Sequence, residues 1–146
     1  MGRVIDFRKH LLGIGVVLAF LVYLANVPTK SFSEQYHVKD VDTEQAKALV
    51  DNGALVIDVR GAEQFGYRHI PGAILVPLEE LEKGIPSSLA KEKTRDILVY
   101  CNEGLAHGPE ATALLNQAGF SRAVNLKGGI EGWAGAKMPI VSQGSG

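Results

Sequence analysis

ILVYCNEGLAHG, residues 97–108, decides the fold that this sequence predicts. Its first four residues are apolar and suit a buried strand, whereas Pro109 followed by residues 110–118 predicts a helix. The loop between them carries Cys101, the only cysteine in the chain. Backbone amides in a strand-to-helix turn can point at an anion, so a thiolate or a negative sulfur group on Cys101 would be stabilised there. Cys101 is therefore the predicted nucleophile.

The remaining pattern alternates between short apolar runs and amphipathic segments. The apolar runs predict three further strands, at residues 54–57, 74–76 and 123–126. The amphipathic segments predict helices over Thr43–Asp51, with Asp42 as N-cap, and over Leu78–Lys83. Strands that alternate with helices predict an α/β fold whose parallel sheet is covered on both faces, with ligand sites beyond the carboxyl ends of the strands. Asp58 and Cys101 lie at such ends.

Composition narrows the classes of function. The chain has 146 residues, of which 46% are hydrophobic, and this is enough for one domain with a short extension. A formal charge of −1 without a basic excess argues against nucleic acid as a partner. Gly128 and Gly129 predict a simple turn, and no phosphate loop of recognised spacing occurs. Cys101 and His107 are too few for a metal site, which would need the distant His37 or His69 as well. We expect that no metal or organic cofactor is required.

Residues 1–28 predict a membrane anchor or a signal segment. Three basic residues precede the apolar run 11–25, at Arg3, Arg8 and Lys9. Tyr23 stands where a cleavage signal needs a small residue, which favours an uncleaved anchor that contacts the membrane through residues 11–27. The positive-inside rule then places the domain outside the cytoplasm, in the periplasm. Cleavage and secretion to the periplasm is the alternative.

Three further segments complete the predicted organisation of the chain. Residues 29–35 are polar and predict a tether between the apolar segment and the domain. The folded domain is predicted over residues 36–141. Residues 142–146 are predicted to form a flexible tail.

Four motifs in order resemble the rhodanese family of sulfurtransferases over residues 36–139. The motifs are Asp58-Val59-Arg60 with Glu63 and Phe65, then residues 69–73 (HIPGA), then Cys101, and finally residues 125–133 (NLKGGIEGW). The resemblance implies a three-layer fold with a five-stranded parallel sheet between helices. It also implies that the loop cysteine takes a sulfane sulfur from a donor as a persulfide and passes it to a thiophilic acceptor, such as a thiol, a cyanide-like molecule or a protein.

The loop departs from the pattern of thiosulfate-using members, which carry arginine just after the cysteine and again five residues after it. This chain has Asn102 and Ala106 at these places, and Glu103 adds a carboxylate. A hydrogen bond to a charged group contributes about 1.5 to 3 kcal/mol, so we expect thiosulfate to be a poor donor. A less charged persulfide, on a small thiol or on a protein, suits this loop better. Protonated His107 would supply a partial replacement for the missing charge, and a solvated histidine is the alternative.

The predicted site consists of the nucleophile, a substrate-binding group and two supporting residues. The substrate-binding group comprises Asn102, Glu103, Gly104, Leu105, Ala106, His107 and Arg60. Asp58 and His69 are predicted to support the structure, and pairing with Asp58 would make Arg60 a brace instead of a substrate ligand. The competing hypothesis for function is a non-catalytic rhodanese-like module that docks a partner at the membrane.

Overall fold

The structure, a computed structural model, describes residues 7–25 and 31–143. Its first helix, α1, covers Phe7–Ala25, and the side chains of residues 14–23 are exposed. Within the two described ranges, no helix is both long enough and apolar enough to span a membrane. This finding does not support the predicted anchor over residues 11–27, of which residues 26 and 27 lie outside the described part.

The other helices and the strands follow in alternation. The strands are β1 (Asp40–Val41), β2 (Leu55–Asp58), β3 (Arg68–His69), β4 (Ile74–Leu75), β5 (Ile97–Tyr100), β6 (Ala123–Leu126) and β7 (Val141–Ser142). The α-helices are α2 (Phe32–Tyr36), α3 (Thr43–Asp51), α4 (Ala62–Tyr67), α5 (Leu78–Lys83), α6 (His107–Gln117) and α7 (Gly129–Gly135), and a 3-10 helix covers Ser87–Glu92.

Within the described residues, five strands form a parallel sheet in the order β1-β6-β5-β2-β4. Strand β5 is central, and its four residues are fully buried. Ile97 and Val99 join a core with residues of α5 and α6, whereas Leu98 and Tyr100 join a second core with residues of α3 and α7. Because alternate side chains of a strand point to opposite faces, both faces of the sheet are covered. The predicted α/β architecture is confirmed.

Local sequence signals explain where several elements begin and end. The Asp42 carboxylate accepts a hydrogen bond from the Gln45 amide at 2.8 Å, and the Gln45 side chain accepts one from the Asp42 amide at 3.1 Å. This capping box satisfies amides that the first turn of a helix leaves unpaired, and it confirms the predicted start of α3. Helices α3 and α5 have the predicted bounds, as do strands β5 and β6.

Other predicted boundaries were wrong. Strand β2 begins and ends one residue later than predicted, and β4 ends one residue earlier, at Leu75. Helix α6 begins two residues ahead of Pro109, at His107, and ends at Gln117 instead of residue 118. Part of the predicted tether forms α2, whose N-cap Ser31 makes a capping box with Glu34. Part of the predicted tail forms β7, which pairs antiparallel with β3. Residues 29–30 of the tether and 144–146 of the tail lie outside the described residues.

Candidate active site at Cys101

Cys101 follows the central strand directly and lies at the wall of an open cavity of about 350 Å³. Its side chain is largely buried, with 6% of the residue exposed. The Sγ atom accepts a hydrogen bond from the Gly104 amide at 3.2 Å. A thiol with a backbone donor on one side and a cavity on the other can hold a negative sulfur and still reach a ligand.

The cavity gathers most of the residues predicted to bind substrate. Its lining consists of Arg60, Gln64, Cys101, Asn102, Glu103, Leu105, Ala106 and His107. Gly104 is a buried residue of the loop and does not line the cavity, although its amide contacts the thiol. Leu105 is 59% exposed and His107 is also exposed, so the loop presents an apolar and a titratable side chain to solvent.

The loop rests on the beginning of α7. The amides of Ile130 and Glu131 donate to the carbonyl oxygens of Cys101 and Asn102, each at 3.0 Å. Gly129 has a φ of 54°, and a Cβ atom there would lie 2.4 Å from the Asn102 oxygen. The prediction of a simple turn at Gly128 and Gly129 was therefore incomplete, because these glycines also open α7 and let it approach the loop backbone.

Gly104 has to be a glycine for two reasons. Its φ of 69° lies in the left-handed region, which other residues adopt only at a cost. A Cβ atom at this position would also lie 2.2 Å from the Leu126 carbonyl oxygen. The backbone therefore turns tightly at Gly104, and this turn directs the amide of Gly104 to the thiol.

Asp58 and Arg60 form a buried ion pair at the end of β2. The guanidinium donates to the Asp58 carboxylate from Nε at 2.9 Å and from Nη2 at 2.7 Å, and 3% or less of either side chain is exposed. Burial by itself would lower the pKa of Arg60, but the hydrogen bonds and the charge of Asp58 outweigh it, so this pKa lies above its ordinary value. Arg60 stays cationic, with its charge balanced inside the protein.

The other contacts of Arg60 hold neighbouring segments. Nη1 donates to the Asn102 side-chain oxygen at 3.2 Å, and Nη2 donates to the Arg68 carbonyl oxygen at 2.7 Å. The guanidinium also lies 5.6 Å from the centre of the Tyr100 ring. Arg60 lines the cavity, where it was predicted to bind substrate, but these bonds also make it a brace between the ends of β2 and β5, which is the structural alternative given above.

Tyr100 carries a buried hydroxyl beneath this pair. The hydroxyl accepts a hydrogen bond from the Ile70 amide at 3.1 Å. Burial raises the pKa of Tyr100 far above its ordinary value, and the nearby Asp58 carboxylate raises it further. The phenol is therefore neutral at physiological pH.

A second open groove, of about 670 Å³, adjoins the first cavity and shares four lining residues with it: Arg60, Gln64, Asn102 and Glu103. Arg68 and Glu131 line this groove and form an ion pair with each other. Glu63 and Glu103 have no ion-pair partner among residues 7–25 and 31–143. With Arg60 balanced by Asp58, the joined grooves present more negative than positive charge to a ligand.

His69 lies in strand β3, outside both grooves. Its ring stacks on the Phe65 ring with centroids 4.1 Å apart, and Nδ1 lies 2.9 Å from the Phe65 carbonyl oxygen. The predicted supporting role of His69 agrees with these contacts. In the part of the chain that the structure describes, no group of three or more histidine, cysteine or acidic side chains is placed to hold a metal ion.

Sequence reasoning missed two residues of this site. Gln64 lines both grooves from α4, a helix that was not predicted. Asn125 is fully buried in β6, and its side-chain Nδ2 donates to the Gly104 carbonyl oxygen at 3.0 Å. A signal for Asn125 exists in the sequence, because an amide inside an apolar strand needs buried hydrogen-bond partners.

Comparisons with known proteins agree with this architecture. A family model described as the rhodanese-like domain matches residues 42–136. A sulfurtransferase of Allochromatium vinosum is 34% identical over 108 residues, which cover 72% of this chain and 96% of that protein. Thiosulfate sulfurtransferase GlpE of Haemophilus influenzae is 30% identical over 106 residues, covering 70% of this chain and 93% of that protein.

A solved structure extends the likeness to three dimensions. The rhodanese-like domain of an Anabaena protein superimposes with a TM-score of 0.61 at 30% identity, covering 70% of this chain and 78% of that one. The matched family model spans more than half of the sequence, from the start of α3 to the end of α7. The chain therefore belongs to the rhodanese-like domain family.

Proposed function

We propose that this protein is a sulfurtransferase that carries sulfur as a persulfide on Cys101. The observation that carries the proposal is the placement of Sγ, which accepts from the Gly104 amide and lies at the wall of an open cavity. Two relatives that are named sulfurtransferases match this chain over nearly their whole length. An anionic sulfur intermediate needs both a hydrogen-bond donor and room for a second sulfur atom, and this loop offers the two together.

The proposed reaction has two displacements without net oxidation or reduction. In the first, the Cys101 thiolate attacks the outer sulfur of a donor persulfide RS–SH, an S–S bond forms on Cys101, and the donor's S–S bond breaks to release the thiolate RS⁻. In the second, an acceptor thiolate attacks the outer sulfur, which leaves as the acceptor's persulfide and regenerates the Cys101 thiolate. The Gly104 amide stabilises negative charge on Cys101 before the first displacement and after the second.

The charge of the grooves favours a weakly charged donor. Glu103 lines both grooves and Glu63 lines the second, and the guanidinium that lines the cavity of Cys101, on Arg60, is already paired with Asp58. Thiosulfate is a dianion and would meet these carboxylates without an arginine to offset them. A hydrogen bond to a charged group contributes about 1.5 to 3 kcal/mol, so we expect a persulfide on a small thiol or on a protein to be the better donor.

Steady-state turnover tests this function directly. The full chain in detergent is mixed with a thiol acceptor and either an alkyl persulfide or thiosulfate, and sulfur transfer is measured. We expect turnover with the persulfide, at least tenfold less with thiosulfate, and none with Cys101→Ser. Ala106→Arg, which adds a cation to the loop, should raise thiosulfate turnover selectively. If neither donor supports turnover, the catalytic proposal fails and the non-catalytic docking module is favoured.

We further propose that the N-terminal apolar segment attaches the domain to a membrane, with the domain on the periplasmic side. Support comes from the exposed apolar side chains between Ile14 and Tyr23 and from the basic residues that precede them in sequence. Alkaline carbonate extraction of cells that express the full chain tests this proposal. Retention in the membrane fraction is the expected result, and release into the supernatant would favour cleavage and secretion.

A further inference from the structure

Asn125 is a buried polar residue of the sheet that contacts the Cys101 loop. It lies on β6, next to the central strand, and is fully buried. Its Nδ2 donates two hydrogen bonds, to the Asp40 carboxylate at 2.8 Å and to the Gly104 carbonyl oxygen at 3.0 Å. One side-chain amide thus connects edge strand β1 to the loop that carries the nucleophile.

The orientation of this amide is determined by its partners. The Asp40 carboxylate also accepts a hydrogen bond from the Ser33 hydroxyl at 2.7 Å, and an ionised carboxylate can only accept. The NH₂ group of Asn125 must therefore face Asp40. Its oxygen faces Gly108, where a Cβ atom would lie 2.3 Å away, and this oxygen has no hydrogen-bond partner among the described residues.

An orphaned buried acceptor costs free energy that the rest of the site has to offset. Leaving such a group unsatisfied destabilises the folded state, and an apolar side chain of similar shape would avoid that loss. What Asn125 contributes in return is the contact of its Nδ2 with the loop. Glycine at position 108 leaves the space that the Asn125 oxygen occupies.

Gly104 transmits this contact to the nucleophile. Its carbonyl oxygen accepts from Asn125, while its amide donates to Cys101 Sγ at 3.2 Å. The left-handed φ of 69° at Gly104 turns these two groups in the directions that both bonds need. Loss of the donor to this carbonyl would remove one of the contacts that orient the Gly104 amide towards the sulfur.

We propose that Asn125 is a positioning residue, which holds Gly104 so that its amide points at the sulfur on Cys101. This inference rests on the proposed function for its catalytic meaning. Asn125 does not touch the cavity and acts only through the loop backbone. Asp40 and Ser33 form the rest of the chain of contacts, because they fix the orientation of the Asn125 amide.

The rate of alkylation of Cys101 by iodoacetamide, measured against pH, tests the proposal without any sulfur donor. The variant is Asn125→Ala, and Asn116→Ala on α6 is the matched control because it changes another asparagine away from the loop. Loss of one hydrogen bond to the thiolate should slow alkylation at pH 7 about fivefold to tenfold and move the midpoint to higher pH. Asn116→Ala should leave the profile unchanged. Glu103 and His107, which line the cavity, are retained in both variants.

A swap of the two strand partners separates the loop contact from the strand contact. In the double variant Asp40→Asn with Asn125→Asp, an amide and a carboxylate still face each other between β1 and β6. The carboxylate at position 125 cannot donate to the Gly104 carbonyl, so alkylation should stay slow. Recovery of the wild-type profile would overturn the proposal, since it would show that only the strand contact matters.

Two further results keep the test decisive. Asn125→Leu retains the number and branching of the side-chain heavy atoms, so it serves in place of Asn125→Ala if that variant does not fold, and the same slowing is expected. An unchanged profile in either folded variant would overturn the proposal. The profile requires no turnover, so the positioning role can fail while the sulfurtransferase activity stands, and the activity can fail while the profile changes as expected.

Discussion

The ends of β2 and β5 lie side by side in the sheet, yet charge is stabilised at one by a side-chain ion pair and at the other by a backbone amide. After β2, Asp58 and Arg60 neutralise each other through side-chain hydrogen bonds in a fully buried pair. After β5, Cys101 receives its donor from the backbone of Gly104 and faces an open cavity. The first end holds its charges permanently, whereas the second can accept a charge that comes and goes during a reaction.

This difference explains how a loop without arginines can still suit sulfur chemistry. Backbone amides carry no net charge, so they stabilise an anionic sulfur without attracting dianions to the groove. The guanidinium of Arg60 stabilises the neighbouring turn through its bonds to Asp58 and Arg68, so its charge is not available to an anionic ligand. The nucleophile and its brace are therefore separate in function although Asn102 joins them.

The largest effect should come from breaking the buried pair. Asp58→Ala leaves the Arg60 guanidinium buried without its counter-charge, and such a loss typically lowers the free energy of unfolding by about 3 to 5 kcal/mol. Asp96→Ala is the control, since Asp96 pairs with Arg122 on the surface. Urea denaturation measures both variants. Equal losses would mean that burial does not distinguish the two pairs, which contradicts the role given to Asp58.

A methyl group at Gly104 should disturb the other strand end. Gly104→Ala combines a strained left-handed φ with a Cβ atom 2.2 Å from the Leu126 oxygen, so we expect a loss of about 3 kcal/mol in the free energy of unfolding and slower alkylation of Cys101. Gly53→Ala is a matched control, because Gly53 also has a positive φ but open space around it. It should cost about 1 kcal/mol and leave alkylation unchanged. Indistinguishable alkylation rates in the two variants would show that the conformation of Gly104 does not affect the reactivity of Cys101.

The buried phenol beneath the pair predicts a dependence on alkaline pH. Because the pKa of Tyr100 is raised in the folded protein, folding favours the neutral phenol and this stability is present below the unfolded pKa of about 10. Above that pH, the phenol ionises in the unfolded chain but not in the folded one, so this group should lower the free energy of unfolding by about 1.4 kcal/mol per pH unit. Urea denaturation between pH 10 and 12 should show a shallower decline for Tyr100→Phe. Parallel declines would show that Tyr100 ionises equally well in both states.

The smallest effect should come from the contact that joins the two ends. Asn102→Ala removes the acceptor of Arg60 Nη1. This bond is long, at 3.2 Å, and Asn102 is only partly buried, so water can replace the lost oxygen and we expect the bond to contribute about 1 kcal/mol to the free energy of unfolding, below the range for a buried charged group. We expect a loss of that size in urea denaturation, with the buried pair intact. A loss as large as that of Asp58→Ala would mean that the ends of β2 and β5 are stabilised as one cooperative unit and not separately.

Much of this fold was predictable from local patterns. Continuous apolar runs marked β5 and β6 with the observed bounds, and Asp42 marked the start of α3. Strand β1 was not predicted because Asp40–Val41 is too short to show a pattern. The pairing of β3 with β7 was not predicted either, because it joins residues that are about 70 positions apart. Long-range pairing of two-residue strands leaves no periodic signal in the sequence.

The site was predictable in its residues but less so in its contacts. The position of Cys101 at a strand end predicted a backbone donor, and the structure identifies it as the amide of Gly104. The role of Arg60 required coordinates, since its bond to Asn102 crosses between adjacent strand ends. Asn125 was missed because its partners, Asp40 and Gly104, come from distant parts of the chain.

Intact mass spectrometry after exposure to an alkyl persulfide tests the central claim most directly. The account predicts that the wild-type chain gains one sulfur atom, that a thiol acceptor removes it, and that Cys101→Ser never gains it. A wild-type chain that gains no sulfur from the donor, or a Cys101→Ser variant that gains as much as the wild type, would contradict the account.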